Sequence, residues 1–524
     1  MDKKKTFITA ILIFIIFFSL FFFIHSRIKG LYTIDDPYYH VKHAYLMADS
    51  GNYVLVKPWL EFHFFKYAPV DAYWGYHIIL AVLINFFGIL TGAKILASLL
   101  SALAFPVFYL ILKDYKIKFA LLFTFLYFAS SYFFQFRLLS ERPYIAAFTV
   151  LPLGFWLLSR KKYVWLFALS FIYTIFYELS PLIIILAGFY CLAEYYFNKN
   201  INLKPIISTA GGVLTGILLH PNFLNYFYLI FISLFQILFL KFSGVNLNVG
   251  AELHTGKFFD YVNQNSIGLA FYLLVLAVFF ALPKIKNEAK NSITYFLFIY
   301  SGSWFVFSLI VPRGIDYWYP FAWLFIVFVF NNLLNSPEWR MIKKFIISRV
   351  NAKILIFFMV SVIFSLVLYN FIYIYGQVMS RSQDTIDNDF QEANEWLIKN
   401  TPKNSIIFYA NWSIWPLMFF YNDHNHYVAG MDPTFLYEYD RNTYWVWKNI
   451  GSYGQYCADE FCSDFIPARN IFQVKHAFRE VFGSDFIIMN NDDKWPLNNM
   501  LKADHNNYRQ TFANKELVIY RVLW

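Results

Sequence analysis

The chain is dominated by apolar runs of about 17 to 22 residues, the length a helix needs to cross the hydrocarbon of a bilayer. They fall at 7–24, 93–112, 119–136, 144–158, 163–178, 181–197, 205–220, 267–283, 293–311, 318–334 and 354–375. Of 524 residues 59% are hydrophobic and 15% charged, with 64 Phe and 40 Tyr. A soluble chain of this size could not bury that much apolar surface without leaving large exposed patches. The expected fold class is a polytopic α-helical membrane protein.

The loops set the expected orientation. The first run follows Lys3, Lys4 and Lys5 and has no small-residue cleavage site after it, so it reads as an uncleaved span with the N-terminus in the cytoplasm. The basic loops "KDYKIK" (113–118), "SRKK" (159–162), "NKNINLK" (198–204), "PKIKNEAKN" (283–291) and "EWRMIKKFIISRVNAK" (338–353) all favour the cytoplasm. They agree only if two shorter runs, 76–91 and 226–240, are interfacial or re-entrant helices on the outer face. About eleven spans result, with the C-terminus outside. The net charge of +10 is taken up by these loops, so no nucleic-acid partner is called for.

Beyond residue 375 the pattern changes. A helix over "DTIDNDFQEANEWLIKN" is followed by strand-like "SIIFY", a helix through "SIWPLMFFY", strand-like "HYVAG", the helix "NIFQVKHAFREVF" and the strands "DFIIMN" and "ELVIYRV". The expected organisation is a transmembrane domain over 1–375 and an extracytoplasmic α/β domain over 376–524, large enough for its own core. Cys457 and Cys462 flank "ADEF" there and are expected to form a local disulfide; no His or Cys cluster completes a metal site around them.

On this topology the outer loops carry the chemistry. Asp35 and Asp36 follow the first span, Glu141 lies in "RLLSERP", Glu252 in "NVGAELHTG" and Arg313 in "VPRGIDYW". Carboxylates from separate loops build oxygen sites for Mg²⁺ or Mn²⁺, and an arginine complements a phosphate. Each residue also has a plainer role: Asp36 before Pro37 as turn chemistry, Glu141 as a local ion pair with Arg142. His40 and His43, three apart, fit one helical face, but without a third His or Cys they read as interfacial or substrate-contacting rather than zinc ligands.

The order of these elements resembles a known family. "DDPYYHVKHA" resembles the "DPWFNYRA" element of oligosaccharyltransferase catalytic subunits, which are GT-C membrane glycosyltransferases. The stretch from "YLILKDYKIK" to "RLLSERPYIA" is similar to the region leading into their "DNEGIA" element, "NVGAELHTG" to "SVSEH", and "VPRGIDYWYPF" to their Arg-containing outer loop. The resemblance implies about eleven to thirteen spans. It makes Asp36 a metal ligand that also faces the acceptor, Glu141 a second ligand and Glu252 a loop acid near both. Arg313 would contact the lipid-linked phosphate, with Asp35, His40 and His43 near the substrate. In place of the family's "WWDYG", which reads the hydroxyl of an Asn acceptor sequon, this chain has "NWSIWP" (411–416). The aspartate is missing, and Trp412 and Ser413 stand where a substrate contact would be.

The implied activity is sugar or oligosaccharide transfer from a polyprenyl-phosphate or polyprenyl-diphosphate donor, held among membrane lipid, to a protein or glycan acceptor outside the membrane. The alternatives are a transporter or flippase of envelope glycolipids and a non-catalytic envelope-assembly subunit. Transport would place ionisable residues at mid-membrane and repeat the fold in two halves; the apolar runs hold acids only near their ends, and no repeat is visible.

Overall fold

The computed structural model describes residues 3–55, 59–199, 201–250, 253, 258–281, 292–336, 352–384, 386–460 and 467–524. Glu252, Cys462 and the basic loops 283–291 and 338–351 lie outside these residues. The chain forms two compact units, each drawn from several stretches: Met1–Tyr32, Lys94–Leu219 and Ala251–Ser382 in one, Thr33–Ala93, His220–Gly250 and Gln383–Trp524 in the other.

The first unit is helical. Its centre is the helix Ile315–Asn335, in which every residue from Ile315 to Val329 is buried, as expected of a helix that is apolar all round. Ser292–Ile310 and Phe258–Ala281 pack against it. Tyr163–Phe176 and Lys204–Leu218 meet along small residues: a Cβ on Gly212 would lie 2.4 Å from the Phe167 carbonyl oxygen, and one on Gly216 2.6 Å from Thr174. Glycines four apart let the two backbones approach this closely.

Seven helices among the described residues are long and apolar enough to cross a membrane, and the chain is a multi-pass membrane protein. The run expected over 119–136 divides into Ala120–Ala129 and Tyr132–Leu139, where the Ser131 side chain accepts a hydrogen bond from the Phe134 amide and starts a second helix. The run 226–240, read as interfacial, belongs to a continuous helix Phe223–Phe242 with a mean hydropathy of 2.0, also long enough to cross, with a π turn at Ile232–Gln236. The run 76–91 is the shorter helix Trp74–Phe87, ended at Gly88 with φ 84°.

The second unit is built on a five-stranded sheet. Strands β1 (Ile406–Tyr409), β2 (His426–Tyr427), β3 (Phe486–Asn490), β4 (Tyr508–Ala513) and β5 (Leu517–Val522) lie in the order β2-β1-β3-β5-β4. β1 runs parallel to β2 and β3, whereas β5 is antiparallel to β3 and β4. Four of the strands coincide with the expected segments; β4, "YRQTFA", is the addition, an edge strand with three successive polar residues. The helix Arg441–Tyr453 covers the core formed by Phe408, Ile487 and Val518. The Asp440 carboxylate accepts from the Thr443 amide at its start, and left-handed Gly454 ends it.

Residues 59–61 join this sheet. The Glu61 amide donates to the Tyr427 carbonyl at 3.1 Å, and the Tyr427 amide to the Trp59 carbonyl at 2.9 Å, extending the sheet beyond β2. Cys457 is disulfide-bonded and Cys191 is a free thiol in the helix Leu182–Asn198.

Candidate active site and a buried histidine cluster

Asp35 and Asp36 stand at the head of the helix Asp36–Ser50. Pro37 fits its first turn, Asp36 complements the positive end of its dipole, and left-handed Gly51 closes it. Asp35 occupies the N-cap position, where a carboxylate ordinarily accepts from an amide of the first turn. It makes no such capping bond, and its Oδ1 is buried without a hydrogen-bond partner. An unsatisfied buried carboxylate oxygen is costly unless a cation or donor meets it.

Glu141 is fully buried. Both its oxygens accept from the Tyr32 amide, at 3.1 and 3.2 Å, and His25 Nδ1 lies 3.0 Å from Oε1. Its carboxylate therefore ties the end of the first helix to the start of the segment that leads to Asp35. Arg313 sits in the short turn Pro312–Gly314 and donates through Nη2 to the Tyr177 hydroxyl at 2.9 Å.

One turn beyond Arg313, Asp316 takes both arms of Arg137: Nε–H donates to Oδ1 at 3.0 Å and Nη2 to Oδ2. The Tyr144 ring lies 3.6 Å from the guanidinium carbon, and the pair is almost completely buried. This bidentate pair was not singled out from the sequence, although each partner sits within a few residues of one that was.

In "NWSIWP" the Ser413 hydroxyl donates to Asn411 Oδ1 at 2.8 Å, and Asn411 Nδ2 donates to Asn490 Oδ1 at the end of β3. Trp412 packs partly buried against the core of the second unit. The short turn is thus fastened to the sheet by its own polar groups.

His40 and His43 lie on the buried face of Asp36–Ser50, which packs against Trp74–Phe87. That packing brings them to two residues absent from the sequence reading, Asp71 and His77. The Asp71 Oδ1 accepts from the Tyr73 amide at 2.9 Å, a turn that sets its carboxylate against the first turn of the next helix. His77 Nδ1 lies 2.7 Å from Asp71 Oδ2, and His77 Nε2 lies 2.9 Å from His40 Nδ1. His43 Nε2 faces Asp71 Oδ2 at 3.6 Å, and neither ring nitrogen of His43 has a hydrogen-bond partner of ordinary length. From the opposite side, His220 Nε2 lies 3.0 Å from the Asp71 backbone carbonyl.

Burial pushes His43 down to about 4, against the opposing pull of Asp71. Burial pushes the Asp71 carboxyl up, but His77 and His43 outweigh it and hold Asp71 at about 2. An uncharged imidazole, with one of its two ring nitrogens unprotonated, therefore faces an ionised carboxylate. The expectation that no third ligand joins His40 and His43 holds only locally in the chain: Asp71 and His77 complete a group 28 or more residues away. The available signal was an ionisable His77 inside an apolar run.

The helical unit and the mixed α/β unit give the chain a fold that it shares with solved membrane glycosyltransferase structures of GT-C type. The chain is similar to the crystal structure of ArnT from Cupriavidus metallidurans bound to undecaprenyl phosphate, at 13% identity over 97% of both chains with a TM-score of 0.57. It is also similar to the Archaeoglobus fulgidus oligosaccharyltransferase. The form tethered to an acceptor peptide with the NVT sequon is 11% identical over 93% of this chain and 69% of that one, with a TM-score of 0.55. The form in complex with Zn and sulfate is 12% identical over 90% and 67%, with a TM-score of 0.55. At these identities the likeness establishes the fold. No protein-family model and no curated protein sequence matches the chain.

Proposed function

We propose that the protein is an integral-membrane glycosyltransferase that moves a sugar or oligosaccharide from a polyprenyl-phosphate or polyprenyl-diphosphate donor to an acceptor on the outer face of the membrane. The observation that carries this reading is the acid pair at the head of Asp36–Ser50, with the uncapped, unpartnered Asp35 Oδ1, in a chain of GT-C fold. The bound undecaprenyl phosphate of ArnT supports the class of donor.

In the reaction an acceptor O–H or N–H attacks the anomeric carbon, the bond from that carbon to the phosphate oxygen breaks, and the acceptor proton is lost. Asp36 faces the acceptor and is suited to receive that proton. Arg313, oriented by its hydrogen bond to Tyr177, takes the phosphate. Charge grows on the departing oxygen, and a guanidinium there lowers the barrier because its attraction strengthens as the charge develops.

A buried oxygen without a donor fits a hard cation, and Asp35 with Asp36 would hold Mg²⁺ or Mn²⁺, which supplies charge neutralisation for the leaving phosphate. Glu252 is the further acid assigned to acceptor and metal by the family resemblance. Glu141, engaged by Tyr32 and His25, supports the Asp35 segment whether or not it also binds metal.

The reading is tested by incubating the purified protein with a polyprenyl-phosphate sugar and following labelled sugar into acceptor, alongside mass spectrometry of lipid-linked intermediates in cells with and without the gene. Hydrolysis or transfer absent under all metal conditions, with intermediates unchanged in the cells, would overturn it.

Two expected results accompany the proposal. With the runs 76–91 and 226–240 on the outer face, the arrangement in which all five basic loops are cytoplasmic, a domain fused after Trp524 is expected to lie outside the cytoplasm; a reporter there that is active only in the cytoplasm would reverse it. Transfer is expected not to depend on an Asn-X-Ser/Thr sequon. A site that hydrogen-bonds a substrate hydroxyl rejects an acceptor lacking it, but here the aspartate is missing and Ser413 already donates to Asn411. Robust transfer to a sequon peptide, lost when its Ser or Thr becomes Ala and impaired by Trp412→Ala, would contradict this.

A further inference from the structure

We infer that His43, Asp71 and His77 form a buried transition-metal site, separate from the acid pair at Asp35 and Asp36, and that its ion is Zn²⁺. One donor atom from each residue lies within 4.8 Å of the others. All three side chains are buried, at 1%, 2% and 0% exposure. Oxygen-only surroundings suit Mg²⁺ and Mn²⁺, whereas two imidazoles and one carboxylate suit zinc and its neighbours.

His43 supplies the second, independent sign. A buried imidazole normally satisfies at least one nitrogen with a hydrogen bond. His43 satisfies neither, yet its Nε2 is directed at the Asp71 carboxylate from 3.6 Å. That separation is too long for a hydrogen bond, and it is close to the edge of a coordination tetrahedron with metal–ligand bonds of about 2.0–2.2 Å. The Leu55 backbone approaches the ring only loosely, and an ion seated between His43 and Asp71 would give Nε2 a close partner.

The surroundings have the form of an outer shell. Metal at His77 Nδ1 would displace the proton that Nδ1 shares with Asp71 across 2.7 Å and move the two groups apart to accommodate the ion; the ring would then carry its proton on Nε2, where His40 Nδ1 stands 2.9 Å away to accept it. Such a partner fixes the tautomer and orientation of a ligating histidine. Asp71 is steadied at its other oxygen by the Tyr73 amide and at its backbone carbonyl by His220. Three protein ligands leave a fourth position for water. The depth of burial points to a role in fastening the helix Asp36–Ser50 to Trp74–Phe87. That helix carries Asp36 at its head, so zinc here would fix the direction of the acid-bearing element.

The test uses the full chain purified in detergent, stripped of loosely held metal by passage over chelating resin, and assayed by inductively coupled plasma mass spectrometry. About one zinc per chain is expected in the wild type, falling to about a tenth in His43→Gln and Asp71→Asn. Asp36→Asn is expected to leave the zinc content unchanged. His40→Ala is expected to weaken zinc affinity by about 10- to 100-fold, the effect of losing a partner behind a ligand. Because the ligand variants can fail to fold, the wild type also carries the test: the metal-free protein reconstituted with Co²⁺ should develop visible ligand-field bands, and X-ray absorption should report imidazole ligands.

A wild type that holds no zinc and develops no cobalt bands overturns the inference, as does zinc retained in full by both ligand variants. Zinc lost with Asp36→Asn but retained in His43→Gln would move the metal to the acid pair. That result would refute the buried site and leave the proposed transferase intact.

Discussion

Asp36→Ala is expected to lower sugar transfer by about a thousand-fold while leaving the protein folded. A cation or a positioned carboxylate at the reacting centre supplies several kcal/mol of stabilisation to the transition state, and about 1.4 kcal/mol corresponds to tenfold in rate. The loss should fall on turnover rather than on donor binding, because in the proposed mechanism Asp36 acts on charge and proton transfer while Arg313 holds the phosphate. Asp36 is only partly buried and helps to start its helix, so its removal opens no core cavity, and the dipole interaction lost is about 0.3–1 kcal/mol. Glu252→Ala is expected to act in the same direction. Single-turnover kinetics with a labelled donor, together with size-exclusion profiles and thermal unfolding of the variants, provide the measurement. An Asp36→Ala protein that transfers at the wild-type rate would remove the acid pair from the mechanism, and wild-type turnover in EDTA would remove the catalytic cation.

Arg137→Ala is expected to destabilise the protein by about 3–5 kcal/mol, because it removes the bidentate guanidinium partner of the buried Asp316 carboxylate. The guanidinium also loses its contact with the Tyr144 ring. Replacing both partners, as Arg137→Leu with Asp316→Leu, should recover most of the loss, since apolar groups of similar volume impose no desolvation cost. Thermal unfolding of detergent-purified single and double variants separates the cases. A single variant as stable as the wild type would mean that the pair contributes nothing to the fold. The position of Asp316 one turn from Arg313 adds a second readout: if Arg313 binds the phosphate as proposed, transfer should fall in the single variants even where the protein survives purification, because the helix that follows its turn loses an anchor.

The membrane helices were legible because a bilayer imposes length and polarity on each element, and a helix such as Ile315–Asn335 must be apolar on every side. The breaks were not: Ser130 follows the end of one helix and Ser131 caps the start of the next inside a run that hydropathy reads as continuous. In the α/β unit, β1, β3 and β5 are apolar enough to announce themselves. β4 is hidden because an edge strand exposes half its residues, and "YRQTFA" has the pattern of a loop. Asp35 and Asp36 stood out because two adjacent acids come directly after a long apolar run. Asp71 and His77 did not, because a group assembled across two helices leaves no spacing in the sequence, and only the packing of Asp36–Ser50 on Trp74–Phe87 joins it.

The sheet-bearing unit is assembled from three stretches that leave the ribosome far apart in time. Residues 33–93 are made early, yet the edge that residues 59–61 complete does not exist until β2 has been synthesised. During translation this aromatic segment, with Phe62, Phe64 and Phe65, must wait with its hydrogen-bonding groups and rings uncovered while most of the membrane helices are inserted. Contacts so distant in sequence are slow to form, and exposed strand edges and apolar surface recruit chaperones or aggregate meanwhile. The synthesis of β2 therefore sets the step at which the early loop can dock: a chain that stalls before it has made the helices that precede β2 but leaves residues 59–61 without the strand edge they pair with.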